Sequence, residues 1–348
     1  MISLCMIVKN EIKFIERCLE NVKDYVDEII VVDSGSTDGT LDILKTFSCK
    51  VYNFIWCDDY AKARNYSISK ATNDWILILD GDEIIKNFDK EKVRDFVTTA
   101  KGYEIGEIEI CSYIESYDKT STSKVPRFFN KNYYEFERAL HERLVSKVNV
   151  SCEKIKYLDI EVIHYGYLNE VVTTKDKNKK HIETITKLLN EKYDAYLHKH
   201  LISCYYNDKL YEEALREISK FLSSKNEVDY NIFSQVICTN IKIFLAMKKY
   251  KEAATLEKYY EQCKNNDEYL FTLAMAYSLV NRREEAIDIQ LFLVDKPSLS
   301  INKEQPINNI AYILFESGLY EAAIEWFKML PSTKEMEEII KFCENKIK

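Results

Sequence analysis

Two aspartates separated by one glycine, Asp80-Gly81-Asp82, close the apolar run Trp75-Ile76-Leu77-Ile78-Leu79 and are followed by Glu83. A strand that delivers two carboxylates to its tip offers hard oxygen ligands of the kind Mg²⁺ and Mn²⁺ take, with phosphate oxygens and water completing the shell. The glycine between them lets a phosphate come close to the backbone. An acidic surface turn carries the same letters, so the place at a strand end gives the spacing its weight. A second run, Glu28-Ile29-Ile30-Val31-Val32, ends at Asp33 and opens into Ser34-Gly35-Ser36-Thr37-Asp38-Gly39-Thr40. In open α/β sheets ligands bind beyond the carboxyl ends of the strands, where Asp33 can accept hydrogen bonds from a base or a ribose. The plainer reading is that Asp33, Ser34, Ser36 and Thr37 cap the helix that follows, which starts near Asp38–Thr40. Between the two runs lies Asp58-Asp59-Tyr60-Ala61-Lys62-Ala63-Arg64-Asn65. On a helix opening at Asp58 or Asp59, Arg64 is held by the acidic strand tips, reserved for a nucleotide phosphate, or engaged in a surface ion pair.

These residues need elements to position them, and the first half of the chain supplies a regular series. Short β-branched runs (Ile2–Val8, Glu28–Val32, Val51–Trp56, Trp75–Leu79) alternate with helical patterns (Glu11–Val26, Leu41–Phe47, Tyr60–Ala71, Lys90–Thr99). Such alternation predicts an α/β fold with a mostly parallel sheet covered by helices on both faces. The texture changes near residue 168, after which helix formers dominate. Four short segments then repeat: Tyr211-Glu212-Glu213-Ala214, Tyr250-Lys251-Glu252-Ala253, Arg283-Glu284-Glu285-Ala286 and Tyr320-Glu321-Ala322-Ala323. Their alanines are 39, 33 and 37 residues apart, and nine residues before each stands Tyr205, Phe244, Tyr277 or Leu314. A tetratricopeptide unit of about 34 residues places a small residue where two helices cross closely and a large one on the first helix. This half therefore reads as an all-α helical-repeat domain, a stacking or docking element with no chemical constellation of its own. An irregular helical bundle is the plainer alternative.

Composition removes several other functions. Only seven glycines occur in 348 residues. No Walker loop and no dinucleotide fingerprint can be drawn from them. A net charge of −8 argues against a nucleic-acid coat. The ten cysteines are scattered with no C-x-x-C spacing, and so read as buried, reduced thiols. The chain enters a strand-like run directly after Met1, with no charged leader, and its longest apolar runs are about seven residues against the roughly 20 that cross a bilayer. The expectation is a cytoplasmic protein with no transmembrane segment.

Taken together, Met6-Ile7-Val8-Lys9-Asn10-Glu11, Val31 to Thr40, Asp58 to Asn65 and Trp75 to Glu83, in that order and spacing, resemble family 2 glycosyltransferases of the GT-A fold. The resemblance covers residues 1–168. It is closest to a bacterial branch with a C-terminal tetratricopeptide-like domain, which includes lipopolysaccharide-core-type glucosyltransferases and sublancin-type peptide S-glycosyltransferases. Two later segments extend it. Pro126-Arg127-Phe128, Tyr134-Glu135-Phe136 and Leu140-His141-Glu142 resemble the branch's R-x-F…F-x-G-x-x-H-E element, although Arg138-Ala139 stand where a glycine is common, so a different local backbone is expected there. Ile163-His164-Tyr165-Gly166-Tyr167 resembles its closing H-x-G-Y element.

The resemblance implies a GT-A (Rossmann-like) catalytic domain over 1–168, a linking helix over 169–194 and a tetratricopeptide-like domain over 195–348. It implies that Val8, Lys9 and Glu11 line the nucleotide pocket and that Asp33 contacts uracil or ribose. Arg64, Asp80 and Gly81 complete the nucleotide-sugar site. Asp82, with His164, binds a divalent metal, Mn²⁺ or Mg²⁺. Glu142 is the first candidate for the base, His141 the second and Glu83 the third. Lys175, Lys177 and Lys180 follow on a helix, either toward the departing phosphates or as a solvated face. The implied activity is inverting, metal-dependent and non-processive: one hexose, glucose or N-acetylglucosamine, passes from a UDP-sugar to a peptide, protein or saccharide acceptor. The membrane spans and the Q-x-x-R-W element of processive synthases are lacking. Nucleic acid is not an expected partner, and a homodimer through the helical half stays open. Two other functions compete. One is a helical-repeat scaffold carrying an idle nucleotide-sugar domain. The other is a sugar nucleotidyltransferase, whose glycine-rich loop after the first strand is replaced here by Val8-Lys9-Asn10-Glu11.

Overall fold

In the computed structural model the apolar runs of the first half become four neighbouring strands of one sheet. The structure describes residues 1–114, 119–148, 154–165, 174–224, 226–296, 298 and 300–348. It forms two units, Met1–Val172 and Thr173–Lys348.

The first unit runs β1 (Ile2–Val8), α1 (Ile15–Val22), β2 (Glu28–Asp33), α2 (Thr40–Leu44), β3 (Lys50–Asn53), α3 (Tyr60–Lys70), β4 (Trp75–Ile78), β5 (Glu83–Phe88) and α4 (Lys90–Thr99). It continues with β6 (Glu104–Ile114), β7 (Lys119–Asn130), β8 (Tyr134–Glu137), β9 (Arg143–Ser146) and β10 (Lys154–His164). The eight-stranded sheet has the order β3-β2-β1-β4-β7-β6-β10-β5, and β8 and β9 form a separate hairpin. Four pairings are parallel (β1 with β2, β1 with β4, β2 with β3, β6 with β10) and three antiparallel (β4 with β7, β6 with β7, β10 with β5). The sheet is thus mostly parallel, as expected. Its antiparallel part comes from the half whose strands the sequence pattern did not delimit.

Strands covered on both faces need apolar residues at every position. In β1, Leu4, Met6 and Val8 point into one core and Cys5 into the other, and both sets are buried. α1 covers the first core with Ile15, Cys18, Leu19 and Val22, the spacing of one helical stripe. α3 is capped by Asp59, whose side chain accepts the amide of Lys62. Register then decides what meets at the edge. Val8 is opposite Asp33, and Cys5 is opposite Ile78, so the chain leaving β4 reaches Asp80 and Gly81 beside the tips of β1 and β2. Five of the described cysteines are buried, but Cys57 is exposed, because it lies in the loop before α3 and not on an element facing a core.

The second unit consists of α5 (Thr174–Glu191), α6 (Ala195–Asn207), α7 (Tyr211–Ser223), α8 (Tyr230–Ala246), α9 (Tyr250–Ala254) and α10 (Tyr260–Cys263), followed by α11 (Asp267–Leu279), α12 (Arg283–Asp295), α13 (Glu304–Glu316), α14 (Tyr320–Phe327) and α15 (Lys334–Ile347). Among the described residues no helix is long and apolar enough to cross a membrane. The four repeat alanines, Ala214, Ala253, Ala286 and Ala323, are fully buried and lie in the second helix of each pair. The second pair is the irregular one: α9 gives way to a 3-10 segment, Thr255–Tyr259.

The joints within the pairs show the repeat more sharply than the letters do. Five residues before each alanine the backbone is left-handed, at Lys209 (φ 60°), Lys248 (φ 58°), Asn281 (φ 65°) and Gly318 (φ 75°). One residue later an amide reaches back to the carbonyl of Tyr205, Phe244, Tyr277 or Leu314 at 2.8–3.0 Å, the bond that closes a helix through a left-handed residue. Those acceptors are the four large residues of the sequence repeat. A lysine in this conformation costs about 1 kcal/mol that glycine avoids. Lys248→Gly is therefore expected to raise the unfolding free energy by about 0.5–1 kcal/mol. Gly318→Ala, with nothing within 4 Å of the added carbon, should lower it by about 1 kcal/mol. Urea melts of the two variants check the opposite signs.

Candidate active site

The loops leaving β1 and β2 are sewn together by short polar side chains. Asn10 Oδ1 accepts the amide of Thr37 at 2.8 Å, Ser36 Oγ accepts the amide of Asn10 at 2.9 Å, and Thr40 Oγ1 accepts the amide of Glu11 at 2.8 Å. Asp33 is 4 % exposed. Its carboxylate accepts the amides of Gly35 at 2.9 Å and Ser36 at 3.1 Å. The N-cap of α2 is Gly39, with no side-chain cap bond. Ser36 and Thr40 therefore brace the β1 loop, while Asp38, whose carboxylate accepts the amide of Thr40 at 3.0 Å, serves the start of α2. Lys9 is exposed and Val8 buried at the same strand end. Glu11 folds over Gly81, where a side-chain carbon would meet Glu11 Cγ at 3.1 Å and Val8 Cγ1 at 3.4 Å.

Behind this edge runs a chain of alternating charges. Glu142 Oε1 accepts from Arg64 Nε at 2.7 Å, and Arg64 Nη2 reaches Asp80 Oδ1 at 3.0 Å. Asp80 Oδ2 is 3.2 Å from Arg127 Nη2, which lies 3.6 Å from Glu83 Oε1. Glu83 Oε2 returns to the amide of Asp80 at 2.8 Å. Burial by itself raises the pKa of the Asp80 carboxyl, but the two guanidinium groups outweigh it and hold the group well below the usual carboxylate range. Glu83 moves the other way, raised by burial against the pull of Arg127. Among the described residues Arg64 Nη1 and Arg127 Nη1, both buried, have no hydrogen-bond partner. A buried guanidinium with an open donor can read an oxygen of a bound molecule.

The hairpin that carries Glu142 is pinned to α3. Asn65 donates to the carbonyl of Phe136 at 2.8 Å and accepts its amide at 2.9 Å, as a neighbouring strand would. The amide of Tyr60 donates to the carbonyl of Ala139 at 2.9 Å. In the turn, Arg138 (φ 75°) and His141 (φ 52°) are left-handed. Arg138 thus takes the backbone conformation that glycine adopts freely, and the turn keeps a glycine-type geometry without the glycine.

The third group is Glu11, Asp82 and His164. His164 Nε2 lies 3.3 Å from Asp82 Oδ2, and the amide of Tyr165 donates to the carbonyl of Asp82 at 3.1 Å. Burial and the charges of Asp82, Asp80 and Asp38 push the Glu11 carboxyl up to about 7, against the pull of His164. The bond to Asp82 raises the His164 imidazole, against burial. Among the described residues no group of three or more His, Cys, Asp or Glu side chains is disposed to hold a metal. One carboxylate and one imidazole do fit a divalent cation that takes its other ligands from phosphate oxygens and water.

Comparison with known proteins bears on the domain that carries this edge. The model of glycosyl transferase family 2 matches residues 3–155. Those residues are a family 2 glycosyl transferase domain. A TPR repeat-containing protein of Synechococcus elongatus is 34 % identical over 212 residues, which is 56 % of this chain and 50 % of that one. The SPbeta prophage-derived glycosyltransferase SunS of Bacillus subtilis is 32 % identical over 191 residues, 54 % of this chain and 45 % of that one. An uncharacterized glycosyltransferase of Rickettsia felis is 30 % identical over 186 residues, 50 % of this chain and 65 % of that one. The chain spans about half the length of the first two relatives.

Val8, Lys9, Glu11, Asp33, Arg64, Asp80, Gly81, Asp82, His141 and Glu142 lie within residues 3–155 and His164 lies beyond them; all are described. The ion pairs bring Arg64, Asp80 and Glu142 together, and Asp82 meets His164. Gly166 and Tyr167 of the closing element lie outside the described residues, as do the side chains of Lys175, Lys177 and Lys180. Sequence reasoning assigned no role to Arg127 or Asn65. Arg127 stood in a quoted motif, yet only the pairing of β7 with β4 reveals that it meets Asp80.

Removing the shared cation leaves two carboxylates facing each other without it. Arg64→Met is expected to cost about 3–5 kcal/mol, read by denaturant unfolding. Asn65→Ala, which strands two backbone groups of Phe136, should cost about 2 kcal/mol.

Proposed function

We propose that the chain is an inverting, non-processive glycosyltransferase that moves one hexose, glucose or N-acetylglucosamine, from a UDP-sugar to an acceptor. The observation that carries this reading is the edge itself: Asp82 against His164 at 3.3 Å, two residues from an Asp80 carboxylate gripped by two arginines. Val8, Lys9, Glu11, Asp33, Arg64, Asp80 and Gly81 line the nucleotide-sugar side. Asp82 and His164 would hold a divalent cation, Mn²⁺ or Mg²⁺, which as a Lewis acid neutralises charge on the leaving diphosphate.

The chain's own residues do the remaining work. Glu142 takes the proton of the acceptor hydroxyl or thiol as that oxygen or sulfur bonds to C1 of the hexose. The bond from C1 to the β-phosphate oxygen breaks, and its electron pair leaves with UDP. Arg64 holds Glu142 Oε1 at 2.7 Å and so orients the carboxylate. His141, one residue away in the same turn, is the second candidate. Glu83 suits the role less, being 2 % exposed with its carboxylate on the Asp80 amide and near Arg127. The open Nη1 donors of Arg64 and Arg127 support oxygen binding at this edge. The helical unit, built of paired helices like those of tetratricopeptide repeats, suits a peptide or protein acceptor or a second copy of the chain, with a saccharide acceptor as the other class.

A panel of UDP-sugars with Mn²⁺, read as UDP release, tests the proposal. The wild type is expected to consume UDP-glucose or UDP-N-acetylglucosamine, to stop with EDTA and to recover with added metal. Asp82→Ala should lower the rate by about 10²–10³-fold. Failure to consume any donor under any metal condition would leave the idle-scaffold function in its place.

A further inference from the structure

His164 is approached from its other ring nitrogen by a residue that no motif singles out. β6 and β10 run parallel, and their register sets Ser112 opposite His164. Ser112 Oγ lies 3.4 Å from His164 Nδ1, while Nε2 on the far side of the ring faces Asp82 at 3.3 Å. The next residue is clasped separately. The ring of Tyr165 stacks on Phe14 of the β1–α1 connection, with centroids 6.3 Å apart and planes at 18°. The guanidinium of Arg17 stands 5.0 Å above the same ring, with Nη2 3.4 Å from the phenol oxygen. The amide of Tyr165 closes the loop on the carbonyl of Asp82 at 3.1 Å.

We propose that Ser112 and Tyr165 are positioning residues for the Asp82–His164 pair: Ser112 fixes the imidazole tautomer and Tyr165 fixes the strand end that carries it. A serine oxygen that accepts Nδ1–H leaves the lone pair on Nε2. That is the form in which an imidazole ligates a metal, and the group on the other nitrogen sets both tautomer and ring direction. Tyr165 acts through the backbone. Its amide ties the His164 strand to the Asp82 turn, and the stack with Phe14 and Arg17 anchors that tie to the segment following Glu11. An aromatic ring with a cation above it suffices for the clasp, so the phenol oxygen is dispensable. The inference rests on the reading of Asp82 and His164 as metal ligands.

Two readouts on the full chain test it. The first is the state of the His164 ring with Mg²⁺ and UDP bound, from ¹⁵N spectra of histidine-labelled protein, with His164→Gln to assign the signal. The second is Mn²⁺ affinity with UDP present, from electron paramagnetic resonance titrations. The expected result is a ring protonated at Nδ1, with that proton held in a hydrogen bond that Ser112→Ala loses and Ser112→Thr keeps. Mn²⁺ affinity should fall about 10-fold in Ser112→Ala and in Tyr165→Leu. Ser112→Thr and Tyr165→Phe should bind as the wild type does. A wild-type ring without that hydrogen bond, or Ser112→Ala and Tyr165→Leu binding Mn²⁺ unchanged, overturns the inference while leaving the metal pair intact. No Mn²⁺ bound by the wild type instead removes the metal reading, and the positioning role falls with it.

Discussion

One buried guanidinium organises the edge of the sheet. Arg64 is 6 % exposed and bonds two carboxylates that come from different parts of the chain, Asp80 after β4 and Glu142 in the β8–β9 turn. Burying either acid alone would be costly, and burying both without a cation more so. Arginine suits the place because its fork donates in two directions at once, through Nε and Nη2, which a lysine ammonium does not do from a fixed plane. With Asp80 fixed, Arg127 and Glu83 have a partner to build on. With Glu142 fixed, the hairpin turn has a register. The ordered carboxylates on which the proposed chemistry depends follow from this one ion pair.

Much of this was legible in the sequence where local pattern and strand ends coincide. The run Trp75 to Leu79 and the acids after it place a strand tip without further information, and register carries it next to Asp33 and Val8. The helical repeat was legible through its alanines because a close helix crossing tolerates only a small residue. What stayed hidden was non-local. Ser112 and Arg127 sit on long strands whose letters alternate weakly, and each matters only through the strand beside it. Asn65 was visible as a letter but not as a strand mimic, since its two partners belong to Phe136, far along the chain. Arg138 misled in a useful way. A missing glycine suggested a different backbone, whereas the turn keeps the left-handed angle and places an arginine in it.

The two units resolve their backbone constraints by the same device. The repeat joints at Lys209, Lys248 and Asn281 and the site turn at Arg138 and His141 are left-handed without glycine. In a chain with seven glycines, one of the four joints has one. The others are held by the hydrogen bonds that follow them, which supply what local preference does not. The glycine shortage therefore does not mean a chain poor in sharp turns. It means turns fixed by their neighbours, and at the site a side-chain carbon on Gly81 would press on Glu11 and Val8.

The central claim is that the edge formed by Asp33, Asp80, Asp82 and His164 receives a uridine diphosphate together with a metal. A crystal structure grown with UDP and Mn²⁺, with the metal located by its anomalous signal, tests it most directly. The expected result is one Mn²⁺ touching Asp82 and His164, both phosphates of UDP on that ion, and Arg64 still bonded to Asp80 and Glu142. Metal and nucleotide bound elsewhere, or an Arg64 released from both carboxylates, would contradict it.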